Sequence, residues 1–249
     1  KNLVIEIRKS TGDKKYPILV DQEGGVVSRI NKIFDLSFFS QEFFGDLYKK
    51  NKKKFNIYYK IYLDSVSNIL NEIGININTA PVLDLRCSNT HNIIGTRAFS
   101  KKKNIVSLLG KTCVDIYKNN RIGTVIKHIP GHGASSHDSH KKLPVIKINK
   151  KFLLKNDFIP FLGNDSFFAM TAHIIYTSID DKNPATHSKF LIKNIIRKYI
   201  GFKGILISDD ISMKALQFSI KTNAKKALEA GCNLVLHCNG NINEMKKLV

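Results

Sequence analysis

Six short apolar runs, each closing on a polar residue, constrain this chain more than any other feature. They are Tyr16-Pro-Ile-Leu-Val-Asp21, Ile75-Asn-Ile-Asn-Thr-Ala-Pro-Val-Leu-Asp84, Gly123-Thr-Val-Ile-Lys-His128, Phe167-Phe-Ala-Met-Thr-Ala-His173, Gly204-Ile-Leu-Ile-Ser-Asp209 and Asn233-Leu-Val-Leu-His-Cys238. Runs rich in β-branched residues, without polar alternation, read as strands covered on both faces. Their ends lie 63, 44, 45, 36 and 29 residues apart. Each interval has room for a helix and a return, so the strands are expected to be parallel.

The intervals carry helical periodicity. Over Lys60–Ile73, residues Ile61, Val66, Ile69, Leu70 and Ile73 fall near one face. Leu191, Ile192, Ile195, Ile196 and Tyr199 repeat the pattern before Gly201, and Ala224–Ala230 stops at Gly231. No Gly-, Pro- or Ser-rich linker interrupts residues 1–249, which predicts a single domain. Alternating strand and helix leaves an open doubly wound sheet or a (β/α)8 TIM-type barrel. The first strand lacks a Gly-x-Gly-x-x-Gly turn, which counts against a dinucleotide fold. Polar residues gather at the strand ends (Asp21, Asp84, His128, His173, Asp209), and a barrel brings all such ends to one mouth. The α/β barrel is therefore the expected fold class.

Composition removes several functions. No run of apolar residues is long enough to span a bilayer as a helix, and Lys1-Asn2-Leu3 opens no signal peptide. A cytoplasmic protein without a membrane partner is expected. The formal charge is +20, but only six of the 40 basic residues are Arg and the Lys are scattered in small clusters. Nucleic-acid surfaces recruit Arg for bidentate contacts, so a solvated Lys-rich face is expected and no nucleic-acid partner. Cys87, Cys113, Cys232 and Cys238 form no Cys-x-x-Cys pair and read as small buried hydrophobes.

Three stretches can carry chemistry. Lys127–His140 packs four His and one Asp among glycines and a proline, so it is a loop. A His beside a carboxylate is held in one tautomer for proton transfer. His132, His137 and His140 can also converge on zinc, although nothing resembles His-Glu-x-x-His, and no metal is expected. In Ser208-Asp209-Asp210, a strand-end carboxylate can be nucleophile, metal ligand or helix N-cap. The cap suits Asp210 before Ile211-Ser-Met-Lys-Ala-Leu and frees Asp209. In Asp21-Gln-Glu-Gly-Gly-Val-Val-Ser-Arg29, paired glycines permit a tight turn before a helix. Asp21 and Arg29 suit a hydroxyl-rich ligand or pair with each other.

The strings VDQEGGVVSRI, APVLDL, IGTRAF, KHIPGHGASSHDSH, MTAHIIYTSID and GFKGILISDDISM resemble glycoside hydrolase family 3, and within it the bacterial β-N-acetylglucosaminidases of peptidoglycan recycling. The resemblance runs in order from Tyr16 to Asn239. It implies a barrel whose first strand and final helices lie outside this chain. It also implies a retaining mechanism without cofactor: Asp209 as nucleophile, His140 as acid/base and Asp138 as its partner. Asp21, Arg29, Arg97, Lys127 and His128 would contact the sugar, with His173 and Met213 as pocket wall. Val26 stands where relatives usually carry Arg. The implied partners are N-acetylglucosaminyl saccharides from peptidoglycan, taken by a monomer. Phosphorolysis by an N-acetylglucosaminide phosphorylase, or a degenerate sugar-binding relative without turnover, are the rival readings.

Overall fold

The computed structural model describes residues 1–86, 94–133 and 143–248. Its strands are β1 (Leu19–Val20), β2 (Ile77–Asn78), β3 (Gly123–Ile129), β4 (Val145–Ile146), β5 (Phe168–Thr171), β6 (Ile175–Tyr176), β7 (Ile205–Asp210) and β8 (Leu234–Leu236). Its helices are α1 (Asn2–Thr11), α2 (Gln41–Lys50), α3 (Lys52–Ile73), α4 (Lys103–Asn119), α5 (Lys150–Lys155), α6 (Lys189–Leu191), α7 (Ile220–Ala230) and α8 (Ile242–Met245). After α6 the chain continues as a π-helix over Ile192–Tyr199.

One parallel sheet has the order β1-β2-β3-β5-β7-β8. Each of the six apolar runs supplies one of its strands. β4 and β6 form a separate parallel pair. In a doubly wound sheet the order reverses at a switch point; here the strands simply follow the chain, as around a barrel wall. Core packing shows that the sheet curls. Ile77, Val125 and Met170 form a cluster that receives Leu19 from β1 and Leu236 from β8, the two edge strands. A flat sheet would hold those edges several strand spacings apart. The fold is a curled, half-barrel α/β sheet of TIM type.

The main core lies on the other side, between sheet and helices, and includes Leu63, Leu70, Leu109, Ile126, Ala169, Ile195 and Leu206. Helix α3 starts earlier than periodicity from Lys60 predicts. The Asn51 side chain accepts from the Lys54 N–H, and Phe55 and Tyr59 extend the buried stripe through Leu63, Val66 and Leu70. Gly74, at φ 85°, ends it in the left-handed conformation. No helix among the described residues is long and apolar enough to cross a membrane.

Helix α2 has a positional role. The Gln41 amide donates to the carbonyls of Val82 (2.9 Å) and Arg97 (2.7 Å), and its oxygen accepts from Val82 N–H (2.9 Å). Four residues on, Gly45 lies so close to Phe99 that an added Cβ would overlap the Phe99 carbonyl oxygen. Gly45→Ala is expected to push α2 off the segment bearing Arg97 and to cost about 1–3 kcal/mol. Thermal or denaturant unfolding checks this, and an unchanged midpoint would mean that the contact relaxes freely.

Candidate active site

The C-terminal ends of the sheet strands surround a pocket of about 360 Å³. Asp21, Glu23, Arg97, Lys127, His128 and Asp209 line it, joined by Arg29 and Met213. Asp21 and Asp209, 188 positions apart in sequence, thus meet at one mouth.

The loop after β1 is shaped by its own polar groups. Asn78 holds Gln22 through paired bonds, its oxygen accepting from Gln22 N–H (3.0 Å) and its amide donating to Gln22 C=O (2.8 Å). The Gln22 side-chain oxygen then accepts from the Arg29 N–H (2.8 Å) and the Ser28 hydroxyl (3.0 Å). Gly24 and Gly25, at φ 89° and 59°, make the tight turn read from the sequence. The helix expected directly after it begins only at Gln41. Arg29, an exposed side chain, stands 4.0 Å from the half-buried Asp21, so their pairing is loose and leaves Arg29 room to meet a ligand.

Glu23 organises the pocket floor. Arg97 donates to it through Nε (2.7 Å, to Oε2) and Nη2 (2.8 Å, to Oε1), and Lys127 Nζ lies 2.6 Å from Oε1. Burial pushes the Glu23 carboxyl up, but Lys127 and Arg97 overbalance it and bring it down to about 2. Burial works against the charge of Lys127 too, and Glu23 with Asp21 raise its pKa in spite of it. The three ammonium donors of Lys127 are met by Glu23, Asp21 (3.0 Å) and Thr79 Oγ1 (3.0 Å). A sugar hydroxyl would reach Lys127 only by sharing one of them. Thr79 also donates to Asp21.

His128 and Asp84 form the second unit. The fully buried Asp84 carboxylate accepts from the His128 ring at Nδ1 (2.7 Å) and from the His132 N–H (2.6 Å). Burial lowers the pKa of His132 to about 4, which keeps its ring neutral at pH 7. The sequence marks Asp84 only as a strand-end carboxylate, and it gives Glu23 and Thr79 no mark beyond their place in quoted motifs.

Asp209, next to last in β7, stands at the pocket, its Oδ1 accepting from the Asp210 N–H at 2.8 Å. Burial alone would raise its pKa; His128, that N–H and Lys127 lower it below the ordinary carboxylate value. It is a carboxylate at neutral pH, as a nucleophile must be. Asp210 is not a helix N-cap. Its carboxylate closes a turn, accepting from the Ser212 N–H (2.9 Å) and hydroxyl (2.7 Å), and ties in the Cys238 N–H (3.1 Å). Ile211 and Leu216 bury in a small cluster with Ala224 and bend the segment, so α7 begins only at Ile220, capped by Ser219. Both carboxylates line the cavity, but the Asp210 oxygens are committed to these donors, which leaves Asp209 the freer of the two to meet a ligand.

Met213 lines the pocket as expected, but His173 does not. His173 is fully buried behind the strand ends, with Nε2 donating to the Asp210 carbonyl (3.0 Å) and Nδ1 against the Thr186 hydroxyl (2.7 Å). Cys113 and Cys232 are buried as read, whereas Cys238 is exposed at the pocket. His140, Asp138, His137 and Cys87 lie outside the described residues. Among the described residues no group of His, Cys, Asp and Glu is placed to hold a metal ion.

The model of the glycosyl hydrolase family 3 N-terminal domain matches residues 3–249. The chain belongs to glycosyl hydrolase family 3. This family 3 domain is 32% identical to a β-hexosaminidase of Shewanella frigidimarina, over 97% of this chain and 72% of that protein. It is 34% identical to a β-hexosaminidase of Nitrosomonas eutropha, over 89% and 64%. Among solved structures, NagZ from Neisseria gonorrhoeae in complex with N-trifluoroacetyl-D-glucosamine superposes with a TM-score of 0.88 at 30% identity, covering 99% of this chain and 71% of that one. A family 3 β-N-acetylglucosaminidase from Paenibacillus sp. FPU-7 gives 0.84 at 27% identity, covering 98% and 46%. The chain therefore spans between about half and three quarters of these relatives, and the domain it forms is that of a glycoside hydrolase.

Proposed function

We propose that this chain carries the active site of a retaining exo-β-N-acetylglucosaminidase that removes terminal N-acetylglucosamine from peptidoglycan fragments. The observation that carries this reading is Asp209, an ionised strand-end carboxylate facing the same cavity as a row of sugar-hydroxyl partners. Asp209 would attack the anomeric carbon as the glycosidic bond breaks, giving a covalent glycosyl-enzyme. His140, oriented by Asp138, would protonate the departing oxygen. It would then deprotonate the water that releases the sugar with its configuration retained. Asp21 would accept from hydroxyls of the terminal sugar, Arg29 would donate to its oxygens, and His128 would meet a hydroxyl through Nε2. The β-hexosaminidase relatives support the sugar, and the trifluoroacetylated glucosamine in the Neisseria structure supports recognition of an acylated 2-amino group. Peptidoglycan as the source, with anhydro-muramic acid at the far end, follows from the motif resemblance.

The test uses an aryl β-N-acetylglucosaminide and follows the first-formed sugar by NMR. Release of the β-anomer is expected, and α-anomer as first product would sink the retaining mechanism. Sugar 1-phosphate formed in phosphate buffer would replace hydrolysis by phosphorolysis. A fluorinated sugar that slows the second step should label the peptide carrying Asp209. Label elsewhere overturns the nucleophile.

A further inference from the structure

The structure assigns to Asp84 the role of a positioning residue that fixes the tautomer of His128 and hence what this ring presents to the sugar; the assignment rests on the proposed reading of His128 as a sugar contact. Asp84 ends the run after β2, is fully buried, and lines no part of the pocket. It can touch neither substrate nor reacting atoms and acts only through what it holds. Its two oxygens are differently committed. Oδ1 accepts from the His132 N–H at 2.6 Å, and Oδ2 faces His128 Nδ1 at 2.7 Å. The His128 N–H lies 3.3 Å from both.

Asp84 is ionised: burial opposes the charge, but His128 and His132 lower its pKa. An ionised carboxylate only accepts, so Nδ1 must carry a proton whether the ring is neutral or charged. That leaves Nε2 as the group free to change role: an acceptor for a sugar hydroxyl when the ring is neutral, a donor when it is charged. The same carboxylate sets the backbone at His128 and at His132, so ring orientation and tautomer are fixed together. His128 also acts on the charge of Asp209, whose pKa it lowers.

Asp84→Asn tests this directly. The two backbone N–H groups need an acceptor and would keep the Asn oxygen at the Oδ1 position. The amide NH2 would then face Nδ1, which must become an acceptor, moving the proton of the neutral ring to Nε2. With the aryl glycoside, kcat/KM is expected to fall roughly 10²-fold, the size a mis-set imidazole tautomer reaches readily. A double-mutant cycle separates this from a merely structural loss. If Asp84 acts through His128, D84N/H128Q falls no further than H128Q, within about 2–3-fold of it. Multiplying losses would make Asp84 a structural residue and overturn the assignment. Should D84N fail to fold, ¹⁵N spectra of the wild-type ring at alkaline pH decide: a proton on Nδ1 supports the assignment, and one on Nε2 overturns it. That arm needs no turnover, so a wild type inert toward glycosides would refute the proposed function without touching the tautomer.

Discussion

Asp209→Asn should leave a folded protein whose kcat/KM toward an aryl β-N-acetylglucosaminide is lower by roughly 10⁴-fold or more, the range seen when a covalent nucleophile is removed. The fold should tolerate the change because Asp209 accepts from the Asp210 N–H at 2.8 Å, and the Asn oxygen can accept the same bond. Among the described residues no cation forms an ion pair with it; Lys127 is held by Glu23 and Asp21, and Arg97 by Glu23. The loss is thus expected in turnover and not in thermal midpoint. Removing the side chain altogether, as Asp209→Ala, opens room for a small external nucleophile. Azide should then restore cleavage and yield an α-glycosyl azide, because it attacks the face Asp209 would have used. Residual activity above about 1% in D209N, or a β-azide from D209A, would show that another group performs the first displacement. The folded-state pKa of Asp209 is depressed, so its carboxylate stays charged down to a pH below the ordinary range. An acidic limb in kcat/KM near neutrality would belong to another group.

The sequence made the strands legible because each is buried on both faces and its composition records that directly. The runs overstate length, however. β1 and β2 pair over two residues each, where the runs span Tyr16–Asp21 and Ile75–Asp84. Pro17 and Pro81 lack the N–H that a ladder needs and interrupt it, and beyond Pro81 the pairing with β3 resumes as a single bridge between Val82 and Lys127. β4 and β6, also two residues each, are too short to show any period. The polar floor was half legible. Asp21, Lys127, His128 and Asp209 stand within two residues of strand ends, and a barrel gathers strand ends whatever their chemistry. Glu23 was hidden because its meaning lies in pairing with Arg97, 74 residues on, and with Lys127 on another strand. Nothing local marks such a contact, although Asp21 and Glu23, two apart, share a direction in extended chain. Asp210 misled for the opposite reason: a local capping signal was overridden by the burial of Ile211 and Leu216.

Glu23→Gln is expected to cost about 3–5 kcal/mol of stability at neutral pH, the usual penalty for breaking a buried ion pair by removing one partner. The Glu23 side chain is 1% exposed, and the three donor groups that converge on it belong to two cations that are themselves largely buried. A Gln amide offers one acceptor to those donors and turns its NH2 toward the others. Lys127 keeps Asp21, but Arg97 loses both of its bonds to a carboxylate. The pH dependence distinguishes this electrostatic loss from a packing defect. Glu23 has its pKa depressed from 4.5 in the open chain to about 2 in the fold. Its contribution is therefore complete above 4.5 and declines as the pH falls through that value toward 2. That shift corresponds to about 3 kcal/mol in total, most of it gone by about pH 3. Denaturant unfolding of wild type and E23Q should accordingly differ most at neutral pH, with the gap narrowing by about half or more on acidification to about pH 3. A gap of constant size would mean that Glu23 holds its neighbours by shape and not by charge. Because Arg97 and Lys127 lose their common tether, E23Q should also weaken sugar binding more than it slows turnover, raising KM ahead of any fall in kcat.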